Sequence, residues 1–196
     1  MNLTEEIKAG LNIALNEATL LGVEVSPHRR IAGATLSVLT LPEAGPSPDD
    51  SRRQFLFQPV GRIAASLRLG HWDDPKATVI PFTIEELLER VKSFGGLPIY
   101  GWKFFDLYVT DLPRWADRLS LDWRGGDNGL CHSISLFQWR ADRHLALCIW
   151  FDNLTIRDPL GHELALEEVV AGGRRWWDAF YAQDPRTTGR GMYPLK

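Results

Sequence analysis

The sequence predicts an α+β fold: a mainly antiparallel sheet with about three helices packed on it. Three observations carry this. Helical periodicity marks the start, middle and end of the chain. Apolar segments rich in β-branched and aromatic residues fill the stretches between. Two of them, 132–139 and 144–151, are separated only by a turn at 140–143, which pairs them antiparallel.

The first helix rests on Leu3, Ile7, Leu11, Ala14, Leu15, Ala18 and Leu21, which recur at helical spacing. Thr4 can cap it, Glu5 and Glu6 suit its positive end, and Gly22 can end it. A short extended segment follows at 23–25. The stretch 31–41 is apolar at both parities, as in a strand covered on both sides. The run PEAGPSPDDS at 42–51 reads as a surface loop.

Strands are expected at 54–58 and 62–69, around a turn at 59–61, with a loop at 70–77 and a short strand at 78–81. Thr83 caps a second helix over 84–94, with Glu85 and Glu86 early and Gly95 at its end. The aromatic stretch 99–109 reads as extended and 111–129 as irregular. The third helix spans 166–181, and the tail 184–196 reads as irregular. A faint echo at a shift of 82 residues lays 54–69 plus 84–94 over 136–151 plus 166–176. Identity is near background, so chance repetition of a common unit is preferred over two similar halves. One domain over 1–196 is expected, with 1–95 and 96–196 as the alternative subdivision.

Seven of the eight tryptophans fall in the second half. If Trp139 faces His144, strand alternation sorts the hairpin into two faces. Ile134, Leu136, Leu145, Leu147, Ile149 and Phe151 form an aliphatic core face. Ser133, Ser135, Phe137, Trp139, His144, Ala146, Cys148 and Trp150 form a second face. That face is too apolar to be left to water and too polar for a plain core. Cover by a helix or by the 111–129 loop is the simpler explanation; a concave ligand or partner surface is the sharper one.

A parity slip after Phe151 suggests a bulge near Asp152-Asn153, which could aim Asp152 into a site. In the same register Cys131 lies four residues from the partner of Cys148, roughly 13 Å away. No disulfide is therefore expected. Gly172-Gly173 in the last helix costs roughly 1 kcal/mol per glycine, which close packing on the sheet would explain. That helix should bury Leu166, Val169, Val170, Gly173, Trp177 and Phe180, with Trp176 at the edge.

Recognisable chemistry is absent from the sequence. His162-Glu163 begins a zinc-protease pattern, but Leu166 stands where the second histidine is needed. Cys131, His132, His144 and Cys148 lack a zinc-ligand spacing. There is no GxxxxGK[ST], no GxGxxG after a strand and no GxSxG. Asp73-Asp74, Asp106, Asp111 and Asp152 could supply an acid pair, and Arg124 with the glycines at 125–129 reads as a turn cluster. The net charge of −3 gives no general attraction to nucleic acid or anionic membrane. Arginine pairs at 29–30, 52–53 and 174–175 are scattered. Two cysteines fit a reducing cytosol. No secretory leader and no apolar run of about 18 residues is visible.

The leading expectation is a soluble, cytoplasmic, non-enzymatic binding protein without cofactor or metal. Its site residues are Phe137, Trp139, His144, Trp150 and Asp152, with Trp123 or Trp176 as additions. The expected partner is another protein or a second copy; nucleic acid and membrane are not expected. The alternatives are a small hydrolase or transferase using Asp152 with His144, and a purely structural domain.

Overall fold

The computed structural model describes residues 3–126 and 131–188. Eight strands among them form one antiparallel sheet, and three helices accompany it. The strands are β1 (Thr19–Ser26), β2 (Ile31–Ser37), β3 (Arg52–Leu69), β4 (Thr78–Val79), β5 (Leu121–Arg124), β6 (His132–Trp139), β7 (Arg143–Arg157) and β8 (Glu163–Leu164). The spatial order is β1-β2-β3-β7-β6, with β4 and β5 on β3 and β8 on β7. The helices are α1 (Glu5–Leu15), α2 (Leu87–Lys92) and α3 (Leu166–Tyr181). Among the described residues, no helix is long and apolar enough to cross a membrane.

The main core lies on one face of this sheet. Phe55, Phe57, Ile63, Ile149 and Phe151 of the central strands are fully buried there. Leu11 and Leu15 of α1, Leu87 and Val91 of α2, and Leu166 and Val170 of α3 close it from above. The helical period of each segment supplies this apolar stripe.

Several boundaries differ from the sequence reading. The N-terminal helix stops at Leu15, because Glu17 adopts a left-handed conformation that turns the chain. Ala18 and Leu21 therefore leave the helix, and Gly22 sits in β1 beside a bulge at Leu21 rather than at a helix end. The predicted turn at 59–61 does not occur. β3 runs through it as one strand of 18 residues, containing a cis Gln58–Pro59 peptide. The register shift against β7 falls between Val60 and Arg62, so the bulge is on β3 and not at Asp152-Asn153. Since 54–69 is one strand and 136–151 a hairpin, the two echo segments do not fold alike. The second helix begins as a 3-10 turn at Ile84–Glu86, where Thr83 N–H donates to Glu86 Oε2 at 2.8 Å.

The paired glycines of α3 pack against α1 and the chain after β2, not against the sheet. A Cβ on Gly173 would lie 2.6 Å from Ala14 Cα and Cβ, and one on Gly172 would lie 2.3 Å from Thr40 Oγ1. Gly10 of α1 meets Val170 in the same way, at 2.3 Å. This close approach rotates α3 so that Trp176 is buried and stacks on Phe180 at 5.3 Å, while Trp177 is only half-buried.

Candidate functional site

β3, β7 and β6 lie side by side, and their register sets out the opposite face of the sheet in rows. Trp139 pairs with His144, and His144 with Arg68. The next row is Phe137, Ala146 and Ser66, then Ser135, Cys148 and Ala64, then Ser133, Trp150 and Arg62. Apart from Phe137, the middle rows carry small side chains, which leave room for a covering layer. Trp115 fills it, with Leu112 and Leu119 beside it, over Ala64, Ala146 and Cys148.

The cover is a segment without long strands, running from 100 to 120. Its first part lies along the free edge of β6. Tyr100 N–H donates to Phe137 O (2.8 Å), Ser135 N–H to Phe104 O (2.7 Å), and Asp106 N–H to Ser133 O (2.9 Å). An edge strand is thereby satisfied without a further regular strand. Asp106 anchors the segment. Its carboxylate accepts from Ser133 N–H at 2.7 Å and from Lys8 Nζ of α1 at 2.6 Å. Burial disfavours the Lys8 charge, but its bonds to Asp106 and Glu5 outweigh that and raise its pKa. Asp106 is thus a structural tie between loop, hairpin and helix.

The cover does not close the whole face. Between it and the Arg68–Phe137 end lies a cavity of about 610 Å³, within the usual range for small-molecule sites. Trp115, Phe137, Tyr100, Trp102 and Trp72 give it aromatic walls. Trp102 is 82% exposed and Trp72 50%, so the rim is open aromatic surface. Trp139 stands just behind this rim, its ring 5.7 Å from that of Tyr100 and 6.2 Å from that of His71.

Arg68 is the unusual group here. It is only 9% exposed and lines the cavity, yet its side chain makes no hydrogen bond or ion pair among the described residues. Its Nε is fully buried without a partner. Burial, and then Arg118, lower its pKa, though a guanidinium stays charged. Next to it His144 is fully buried, with Nδ1 3.3 Å from Gly70 O and Nε2 without a partner. Burial, then the charge of Arg68, hold the His144 pKa below the ordinary value, so the ring is kept neutral. Lys103 and Arg114 also reach the cavity wall, against one lining carboxylate, Asp111. Burial raises the Asp111 pKa, opposed by Arg114, whose Nη1 is 3.9 Å away.

No family model, curated protein or solved structure matches this chain.

The residues singled out from the sequence separate. Phe137 is half-buried and lines the cavity. His144 is fully buried beside Arg68, and neither it nor Trp139 is among the residues lining the cavity. Trp150 lies two rows away from His144's neighbour Ala146, with Arg62 stacked on its ring at 5.0 Å, and belongs to the covered part. Asp152 is elsewhere: it accepts from Cys131 N–H at 3.2 Å. Eight residues of one strand separate it from His144, roughly 26 Å, so the two share no site. Trp123 and Trp176 pack into other clusters. Both cysteines are free, Cys131 exposed and Cys148 buried, with burial pushing the Cys148 thiol up to about 12. No group of three or more metal-ligating side chains occurs among the described residues. Residues 127–130 of the glycine-rich turn and the tail beyond 188 lie outside the described residues.

The residues the sequence reading passed over are Arg68, Trp72, Tyr100, Trp102 and Lys103. Arg68 carried one signal: a charge in the otherwise apolar strand IAASLRL, at the parity of Ala64 and Ser66.

Proposed function

We propose that this chain is a non-enzymatic binding protein whose small-molecule ligand occupies the cavity between the hairpin's second face and the 100–120 cover. The observation that carries the reading is open aromatic surface, Trp102 and Trp72, leading into a cavity whose floor is the hairpin. Exposed aromatic rings at the mouth of a concave site are suited to stacking on a planar ligand and to desolvating it. A catalytic reading lacks a constellation. Among the described residues, Asp111 is the one carboxylate lining the cavity, and no histidine or cysteine lines it. The free thiols are in keeping with a reducing compartment, which supports a cytoplasmic setting.

The test is a fragment screen on isotopically labelled protein, reading the tryptophan indole N–H signals. Planar aromatic fragments should shift Trp102, Trp72 and Trp115 together, and Trp102→Ala should weaken binding several-fold. Shifts scattered over the surface, or concentrated at Trp176 and Trp177, would count against the cavity.

A further inference from the structure

We infer that the ligand of this cavity is a small organic carboxylate with a planar apolar body, its carboxylate held by Arg68. The inference rests on the cavity being the binding site, as proposed above, and adds the charge and shape of what fills it.

Buried charges in folded chains are paired, because an unpaired charge loses its hydration without recompense. Arg68 is nine-tenths buried and unpaired among the described residues. The acid that attracts it most, Asp117, is beyond ion-pair distance and is itself mostly exposed beside Arg118. Asp111 is turned to Arg114. Among the described residues the cavity wall therefore presents Arg68, Lys103 and Arg114 against a single carboxylate, and a ligand anion would restore neutrality.

The chemistry of the anion follows from the group that meets it. A guanidinium is a planar fork of donors whose geometry matches a carboxylate in a bidentate pair. A phosphate monoester has three acceptor oxygens and more charge. Around Arg68 the backbone donors of β3, β7 and β6 are already engaged in the ladder. The body of the ligand follows from the walls: the rings of Trp102, Trp72, Tyr100, Trp115 and Phe137 offer faces and edges to a flat apolar group. Aromatic walls alone would also suit an organic cation. Three positive side chains in the same cavity select against one.

The experiment is isothermal titration of the full chain with 2-naphthoate, its uncharged analogue 2-naphthamide, 2-naphthyl phosphate and 2-naphthylmethylammonium. The carboxylate should bind at least about tenfold more tightly than the amide, the phosphate and the ammonium. Arg68→Gln should weaken the carboxylate about ten- to hundredfold and the amide by less than about threefold, with an unchanged circular-dichroism spectrum reporting that the variant is folded. If that variant does not fold, Arg68→Lys replaces it, with a several-fold loss for the carboxylate alone. Trp102→Ala, at an exposed position, should weaken carboxylate and amide alike. Equal binding of carboxylate and amide, both weakened by Trp102→Ala, overturns the inference and leaves the cavity reading standing. Tightest binding of the phosphate overturns the carboxylate assignment. No binding of any probe, or binding indifferent to Trp102→Ala, overturns both.

Discussion

Arg68→Met should make the unliganded protein more stable. The native side chain is 9% exposed and, among the described residues, has no ion pair and no hydrogen-bond partner for its buried Nε. Methionine keeps the apolar stem in place beside His144 and deletes the charged head. Replacing buried ionic groups by apolar ones of similar size ranges from neutral to about 1–4 kcal/mol stabilising. Nε is the one guanidinium atom fully buried without a partner among the described residues, so the low end applies, about 1 kcal/mol. In a chain of this size that is a rise of roughly 2–4 °C in Tm. Thermal unfolding followed by circular dichroism, without added ligand, measures it. His144 should respond as well: with the Arg68 charge gone, its pKa should move back up toward the ordinary value, as read by NMR titration of the ring. A fall in Tm of similar size would refute the reasoning. It would mean that the Arg68 charge is satisfied within the folded chain and is not held open for a ligand.

Three further outcomes follow from the same geometry. Gly173→Ala gains roughly 1 kcal/mol of helix propensity, yet its methyl would meet Ala14 at 2.6 Å. Overpacking of about 1–3 kcal/mol should outweigh the gain, giving a net loss in chemical denaturation; a stabilised variant would contradict the α1–α3 contact. Trp115→Ala should cost about 3–5 kcal/mol, reduced if the cover collapses onto Ala64 and Ala146, and should expose Cys148 to thiol reagents. The third concerns pH. His144 has a lowered pKa when folded, so below the ordinary histidine value the unfolded chain binds a proton that the folded chain does not. Stability should therefore be complete above about pH 6.5 and fall as pH drops below it. Denaturant unfolding at several pH values should show a shallower fall for His144→Gln, and an unchanged slope would count against a buried neutral ring.

The hairpin was the most legible part of the sequence, because its evidence is local. A four-residue turn and period-two alternation set Trp139 opposite His144, and from that the two faces and the separation of the cysteines follow. The α+β class was legible for the same reason, since amphipathic periods belong to single segments. What escaped was what depends on distant partners. Pro59 and Gly61 resemble a turn, but pairing with β7 carries β3 through them as one strand. The helical stripe at the start continues into Ala18 and Leu21, and only the left-handed Glu17 ends it. The doubled glycines of α3 pointed to close packing, though the surfaces they meet are α1 and the chain after β2 and not the sheet.

The cavity shows this limit most clearly. Phe137 was reached from the hairpin pattern. Arg68 stands across β7 from Trp139, and Trp72, Tyr100 and Trp102 arrive on two loops from elsewhere in the chain. Those residues meet only after β3 and β7 have paired over their full length. Asp152 shows the converse: a bulge was expected to aim it into a site, but the irregularity belongs to the other strand, and its carboxylate caps a backbone N–H at the far end of β7.

The most direct test of the central claim is a crystal structure of the chain soaked or grown with 2-naphthoate. The naphthalene ring should lie between Trp102 and the hairpin, with both carboxylate oxygens about 2.7–2.9 Å from Arg68 nitrogens. Density for the probe elsewhere, or in the cavity with its carboxylate turned away from Arg68, would contradict it.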